Sequence, residues 1–172
     1  MYEKIINISK NLKTKFFFDF EVYKSTWFQA GGKVDIFCIV ENENELEIIL
    51  NNIDHNPYFV LGAGSNILVR DGGYKGIIIK LGKNFNKITK KENKIIAGAG
   101  TLDVNLSKFA YENSIKNLEF FCGIPGTIGG AIKMNAGCFN SETKDFLDCV
   151  SLIDHNGNKK LIQNNQINFS YR

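Results

Sequence analysis

Glycine placement constrains this chain more than any other feature. Most of its 16 glycines fall in three clusters, each following a short apolar run: 62–76, 98–100 and 123–137. Glycine permits positive φ and lets main chain approach main chain, or a ligand, where a Cβ would not fit. A chain built this way alternates short apolar strands with tight, backbone-rich loops.

The strands and helices between the clusters can be read from periodicity. Val34 to Val40 is β-branched and apolar, as in a buried strand. Asn42 is placed to cap a helix over 43–52, with Leu46, Ile49, Leu50 and Ile53 as its apolar stripe and Pro57 beyond its end. A short helix is expected near 2–12, and a strand over 58–61. Val60-Leu61, then Gly62-Ala63-Gly64-Ser65-Asn66, then Ile67-Leu68-Val69 reads as strand, tight turn, second strand, and 77–79 as a further strand. Residues 87–91 and 94–97 suit a hairpin. Asp103 is expected to cap a helix over 104–113 whose stripe is Val104, Leu106, Phe109 and Ala110. Asn156-Gly157 predicts a tight primed turn between strands in 146–154 and 159–162. The strand-helix-strand order argues for an α/β unit, and the whole reads as α+β with two small lobes. The boundary is expected within 80–87, giving subdomains 1–84 and 85–172.

Composition excludes several functions. The chain has 172 residues, 44% hydrophobic and 23% charged, with a net charge of +3. That suits one domain or one and a half. The charge is too small for a nucleic-acid binder, and no Lys/Arg run supplies a patch. It suits an anionic small ligand and an ordinary surface equally. Cys38, Cys122, Cys138 and Cys149 form no CxxC pair and no zinc spacing, so free thiols in a reducing cytoplasm are expected. His55 and His155 have polar neighbours and read as solvated turn residues; no metal is expected. No apolar run approaches a membrane span or a signal peptide. The oligomeric state stays open.

Chemistry concentrates in the glycine clusters. Successive N–H groups in the 62–66 turn would form an anion-binding concavity suited to a diphosphate, with Ser65 and Asn66 adding side-chain donors. In Cys122-Gly123-Ile124-Pro125-Gly126-Thr127-Ile128-Gly129-Gly130, Thr127 can cap a short helix whose N-terminus would attract phosphate. Gly129-Gly130 leaves room for a flat ligand. The alternative in both loops is close packing of the chain on itself. Ala97-Gly98-Ala99-Gly100-Thr101 lacks GxGxxG, and no P-loop pattern occurs.

Thr26-Trp27-Phe28-Gln29-Ala30-Gly31-Gly32, LGAGSNILVRDGGYKG at 61–76, AGAGT at 97–101 and LEFFCGIPGTIGGAIKMNAG at 118–137 resemble, in order and spacing, the UDP-N-acetylenolpyruvoylglucosamine reductases. These are the MurB-type flavoenzymes of peptidoglycan synthesis. The resemblance implies an FAD-binding fold of the vanillyl-alcohol-oxidase type, with two α+β subdomains and the cofactor between them. Gly62, Ala63, Gly64, Ser65 and Asn66 would wrap the FAD diphosphate. Gly123, Ile124, Pro125, Gly126, Thr127, Ile128 and Gly130 would line the flavin and its ribityl-phosphate arm. NADPH would give hydride to the non-covalently bound flavin, which passes it to the enolpyruvyl group of a UDP-sugar. Tyr171 and Arg172 resemble the family's substrate-binding Tyr-Arg pair, the arginine stabilising the developing enolate as a catalytic residue. The family continues into a UDP-sugar-binding domain, so a chain ending at Arg172 is expected to be an incomplete enzyme. Cys138-Phe139-Asn140 departs from the usual Ala-Tyr-Gly, for which local repacking is expected. Gly64→Val would put a β-branched side chain into the diphosphate space. Another flavoenzyme of the same fold, or a domain whose glycine loops are only structural, remain open alternatives.

Overall fold

The computed structural model describes residues 2–170. They divide into two compact units. One holds residues up to Gly82 together with Ile153–Lys159; the other holds Lys83–Leu152 and the residues from Lys160 onward.

The first unit is built on a four-stranded sheet. It contains α1 (Glu3–Ser9), β1 (Lys15–Glu21), β2 (Lys33–Val40), α2 (Glu43–Asn52), β3 (Tyr58–Leu61) and β4 (Tyr74–Leu81). The strand order is β1-β2-β4-β3. β1 runs antiparallel to β2, while β2 and β3 each run parallel to β4. The central pair is apolar on both faces, as parallel strands covered on two sides must be. Ile36, Phe37, Cys38, Ile77, Ile78 and Ile79 are all buried. Burial alone pushes the Cys38 thiol up to about 12, so it is an inert core side chain.

Asn42 caps α2 as the sequence predicts: its side-chain oxygen accepts the Glu45 N–H at 2.9 Å. Ile49, Leu50 and Ile53 are buried; Leu46 is only half-buried. Glu45, which the apolar stripe omits, is buried instead. Its carboxylate accepts from the Lys13 N–H, the Thr14 N–H and the Thr14 hydroxyl at 3.1, 2.7 and 2.6 Å. Burial pushes its pKa up, but these donors outweigh burial and hold the carboxyl below its usual range. The expected strand over Ile67–Val69 does not form. Ile67 and Val69 pack on the cluster of Val22, Val34, Phe37, Leu61 and Ile78, and tertiary burial overrides the β-propensity of the run. The strand begins only at Tyr74.

The second unit contains the hairpin β5 (Ile88–Lys91) and β6 (Lys94–Ala97), α3 (Asp103–Glu112), a 3-10 turn at Glu119–Gly123 and α4 (Ile128–Met134). The short strands β7 (Gly137–Cys138) and β8 (Ser141–Glu142) follow, then α5 (Thr143–Phe146) and most of the hairpin β9 (Cys149–Ile153) and β10 (Lys159–Gln163), whose tip, Ile153–Lys159, is grouped with the first unit. Its core is Leu106, Phe120, Phe121, Ile128 and Ala131. Val104, assigned to the α3 stripe, is exposed. The turn between β9 and β10 spans Asp154 to Asn158 and is not a two-residue primed turn. The Asp154 carboxylate accepts the Asn156 and Asn158 N–H groups at 2.9 and 3.0 Å, and only Gly157, at φ 74°, has positive φ.

Candidate cofactor-binding site

The loop that leaves β3 is stitched to the segment 26–32. Trp27 N–H donates to the Gly64 carbonyl at 2.9 Å, and Gly32 N–H to the Arg70 carbonyl at 3.0 Å. Gly64 is buried at φ 75°, and a Cβ there would run into the Ser25 carbonyl oxygen and lie 3.0 Å from Thr26 Cα. The glycine at this position is therefore demanded by the chain's own backbone. This corrects the expected reason for a Gly64→Val defect, since the added side chain meets Ser25 before any ligand.

The loop's donors point to a ligand more directly than its glycines do. The N–H groups of Ala63, Gly64, Ser65 and Asn66 have no acceptor among the described residues, and neither do the side chains of Ser65 and Asn66. Four successive unpaired amides in a tight turn are the donor set of an anion nest.

The 123–130 loop is arranged differently. Ile124 N–H donates to Phe121 O, Gly126 N–H to Ile124 O, Ile128 N–H to Thr101 O and Gly129 N–H to Ala99 O, at 3.2, 3.0, 2.9 and 2.9 Å. Gly130 N–H goes to the Thr127 hydroxyl at 3.3 Å, which makes Thr127 the cap of α4, as read from the sequence. The expected phosphate site at this helix N-terminus is thereby corrected. α4 has seven residues, and its first amides are taken by the chain's own oxygens. Three glycines are fixed by self-packing. A Cβ would lie 2.8 Å from Cys138 Sγ at Gly123, 2.6 Å from Asp103 Oδ2 at Gly126, and 3.0 Å from Ala99 Cβ and O at Gly129. Gly130 differs, since only Thr127 Oγ1, at 3.3 Å, would be met. Pro125 is exposed, and Ile124 half-buried. Cys138, the family departure, packs against Gly123 and the second-unit core.

The third cluster, which lacks any ligand pattern, turns out to be the support of the second. Gly98 N–H and Gly100 N–H donate to Lys87 O and Phe85 O at 2.9 and 3.0 Å, while the carbonyls of Ala99 and Thr101 receive the amides of 128–129. Asp103 follows directly. It does not cap α3; Leu102 occupies the cap position and Asp103 is the first helical residue. Its N–H donates to Gly126 O at 3.2 Å. Its carboxyl is fully buried, and neither oxygen has a partner among the described residues; the Thr101 hydroxyl is in the same condition. Burial pushes the Asp103 carboxyl up to about 7. Sequence reasoning missed this group because Asp before an apolar run signals a cap, and no pattern separates a cap from a buried acid one residue further in.

Asn135, in the MNAG stretch, ends α4 at φ 43°. It is buried, with its amide donating to Glu142 Oε2 at 2.7 Å and its carbonyl oxygen accepting from Lys144 N–H at 3.1 Å. His55 and His155 are exposed in turns. Tyr171 and Arg172 lie outside the described residues. Among the described residues no helix is long and apolar enough to cross a membrane.

A family model described as an FAD binding domain matches residues 34–160. The chain belongs to this family. It is 43% identical over 172 residues to the UDP-N-acetylenolpyruvoylglucosamine reductase of Pelagibacter ubique, covering 99% of this chain and 57% of that protein. It is also 43% identical over 155 residues to the reductase of that name from Rickettsia conorii, covering 90% and 52%. The chain thus spans little more than half the length of these relatives. Among solved structures, the reductase MurB from Thermus caldophilus aligns with a TM-score of 0.77 at 32% identity, over 94% of this chain and 56% of that one. The 6-hydroxy-D-nicotine oxidase of Arthrobacter nicotinovorans aligns with a TM-score of 0.65 at 13% identity, over 90% and 37%. The second likeness is one of fold alone. A reductase and an oxidase share the α+β architecture, in line with the FAD-binding fold that the sequence resemblance implies.

Proposed function

We propose that this chain holds FAD non-covalently. We further propose that it forms the flavin-binding part of an NADPH-dependent enzyme that reduces UDP-N-acetylenolpyruvoylglucosamine to UDP-N-acetylmuramate for peptidoglycan synthesis. The observation that carries the reading is the row of N–H groups at Ala63, Gly64, Ser65 and Asn66 with no acceptor among the described residues, on a chain belonging to an FAD-binding family. When bound, FAD supplies the two-electron chemistry that links a nicotinamide donor to the enolpyruvyl double bond.

In this reading the chain's own residues bind and orient. The amides of 62–66 take the diphosphate, with the Ser65 hydroxyl and Asn66 amide adding donors. Gly123, Ile124, Pro125, Gly126, Thr127, Ile128 and Gly130 offer a flat wall for the flavin and its ribityl arm, held rigid by the hydrogen bonds to Ala99 and Thr101. Tyr171 and Arg172 would bind the substrate, the arginine acting on its carboxylate, where its fixed charge would lower the energy of the developing enolate. The subdomains of the reading are 1–84 and 85–172, and the reaction is assigned to the cytoplasm, where the four free cysteines stay reduced.

Titration of the flavin-free chain with FAD tests the proposal. Saturable binding, with a perturbed flavin absorption band and release of the flavin by acid, is the expected result. A further change in the bound flavin's spectrum on adding the enolpyruvyl UDP-sugar, and none with simple amines or alcohols, would favour the reductase over an oxidase of the same fold. A chain that never binds FAD, or holds it covalently, contradicts the proposal.

A further inference from the structure

Asp103 carries an inference that rests on the cofactor reading above and goes beyond it. We propose that Asp103 is a positioning residue for the 123–130 loop that works as an uncharged acid, so that FAD is held tightly only while this carboxyl keeps its proton.

The geometry ties this side chain to the loop. Asp103 N–H donates to the Gly126 carbonyl at 3.2 Å, and Ile128 N–H donates to the Thr101 carbonyl at 2.9 Å, so Leu102 and Thr127 form an antiparallel bridge. Asp103 Oδ2 sits 2.6 Å from the point a Gly126 Cβ would occupy. The carboxyl therefore lies against Gly126 Cα, within the segment assigned to the flavin.

No described residue compensates a charge there. Both carboxyl oxygens and the Thr101 hydroxyl are buried without partners. An unpaired carboxylate loses far more hydration on burial than the positive end of a helix returns. Desolvation wins, and burial accordingly holds the proton on up to about pH 7. Cys138, on a segment that packs on the same core, is half-buried. The titratable side chains on α3 are Lys108, Tyr111 and Glu112; those on the other segments packed against it are Lys87, Lys90, Lys91, Glu92 and Lys94 of the β5–β6 hairpin, and Glu119, Cys122 and Lys133. All are exposed, and none contributes to the titration of Asp103. Once ionised, the carboxyl must draw water into the junction or move away from Gly126, loosening the loop. It also adds negative charge to a site for a doubly anionic ligand.

FAD affinity of the 172-residue chain, measured by fluorescence quenching between pH 6 and 8.5, tests the inference. The wild type is expected to weaken by up to about thirtyfold across that range, the limit when the ionised form does not bind. Asp103→Asn, neutral and nearly isosteric, is expected to bind with less than about threefold change. A second readout needs no variant. At pH 7.5, calorimetry in two buffers of different ionisation enthalpy should show about three-quarters of a proton taken up per FAD bound. Affinity in the wild type that ignores pH, an Asn variant that keeps the wild-type slope, or binding without proton uptake overturns the role of Asp103 while leaving FAD binding intact. Failure to bind FAD at every pH removes the cofactor reading, and this inference with it.

Discussion

The 62–66 and 123–130 loops are both glycine-rich, yet they dispose of their backbone hydrogen-bonding groups in opposite ways. In the first, Ala63, Gly64, Ser65 and Asn66 present successive N–H groups with no acceptor among the described residues. In the second, the amides of Ile124, Gly126, Ile128, Gly129 and Gly130 are all spent on the chain's own oxygens. Glycine content cannot distinguish these cases, because in both loops a Cβ would collide with neighbouring backbone or side chain at key positions. The difference separates a loop with free directional donors from one whose main chain is already closed on itself. An anion needs the former, and a planar ring needs the latter.

The largest effect expected concerns the support beneath the wall. Asp103 has a carboxyl raised from 3.8 to about 7 in the folded chain. Between those values the folded state keeps a proton that the unfolded state has lost, so this carboxyl's contribution to stability is full at and below about pH 4, falls as pH rises to 7, and falls no further above it. The loss amounts to about 4 kcal/mol, at roughly 1.4 kcal/mol per unit. Urea unfolding at pH 4.5 and 7.5 should show most of it as the difference between wild type and Asp103→Asn, because Glu45, whose carboxyl is held low, titrates in both proteins. Equal slopes in the two proteins would mean that the junction is solvated and that the second loop is not a closed structure.

Gly64→Val is expected to cost about 3 kcal/mol, through positive φ and the clash with Ser25. Thermal unfolding measures it directly. The point of the comparison is the cause: the loss should appear with no FAD present. A variant of normal stability that fails only to bind FAD would restore the ligand-clash explanation.

These two effects show how much was legible beforehand. Asn42 and its helix, the two parallel apolar strands and the hairpin over 88–97 follow from local rules, since cap chemistry and periodicity act within a few residues. The tight turn at 62–66 was legible because it depends on local geometry. The roles of Gly64, Ala99 and Asp103 were not legible. Each depends on a partner distant in the chain: Ser25 for Gly64, Gly129 for Ala99, Gly126 for Asp103. Ile67–Val69 failed as a strand for a similar reason, its apolar side chains being claimed by the core in a non-strand conformation.

Smaller effects sharpen the contrast. Thr127→Ala removes the α4 cap and should destabilise by about 1 kcal/mol, read from the urea midpoint. Gly130→Ala is expected to change stability by less than about 0.5 kcal/mol, because the helical gain of alanine offsets the contact with Thr127 Oγ1. Any loss of FAD affinity in that variant, with stability held, marks Gly130 as part of the ligand-facing wall. Unchanged affinity would remove it from that wall.

The most direct test of the central claim is a two-dimensional amide NMR titration of the 15N-labelled chain with FAD. Large downfield proton shifts are expected at Ala63, Gly64, Ser65 and Asn66 as their N–H groups gain phosphate oxygens. The amides of Ile128 and Gly129, already bonded within the chain, should move far less in the hydrogen-bond-sensitive proton dimension. Saturable FAD binding that leaves the four amides of the first loop where they were would contradict the account.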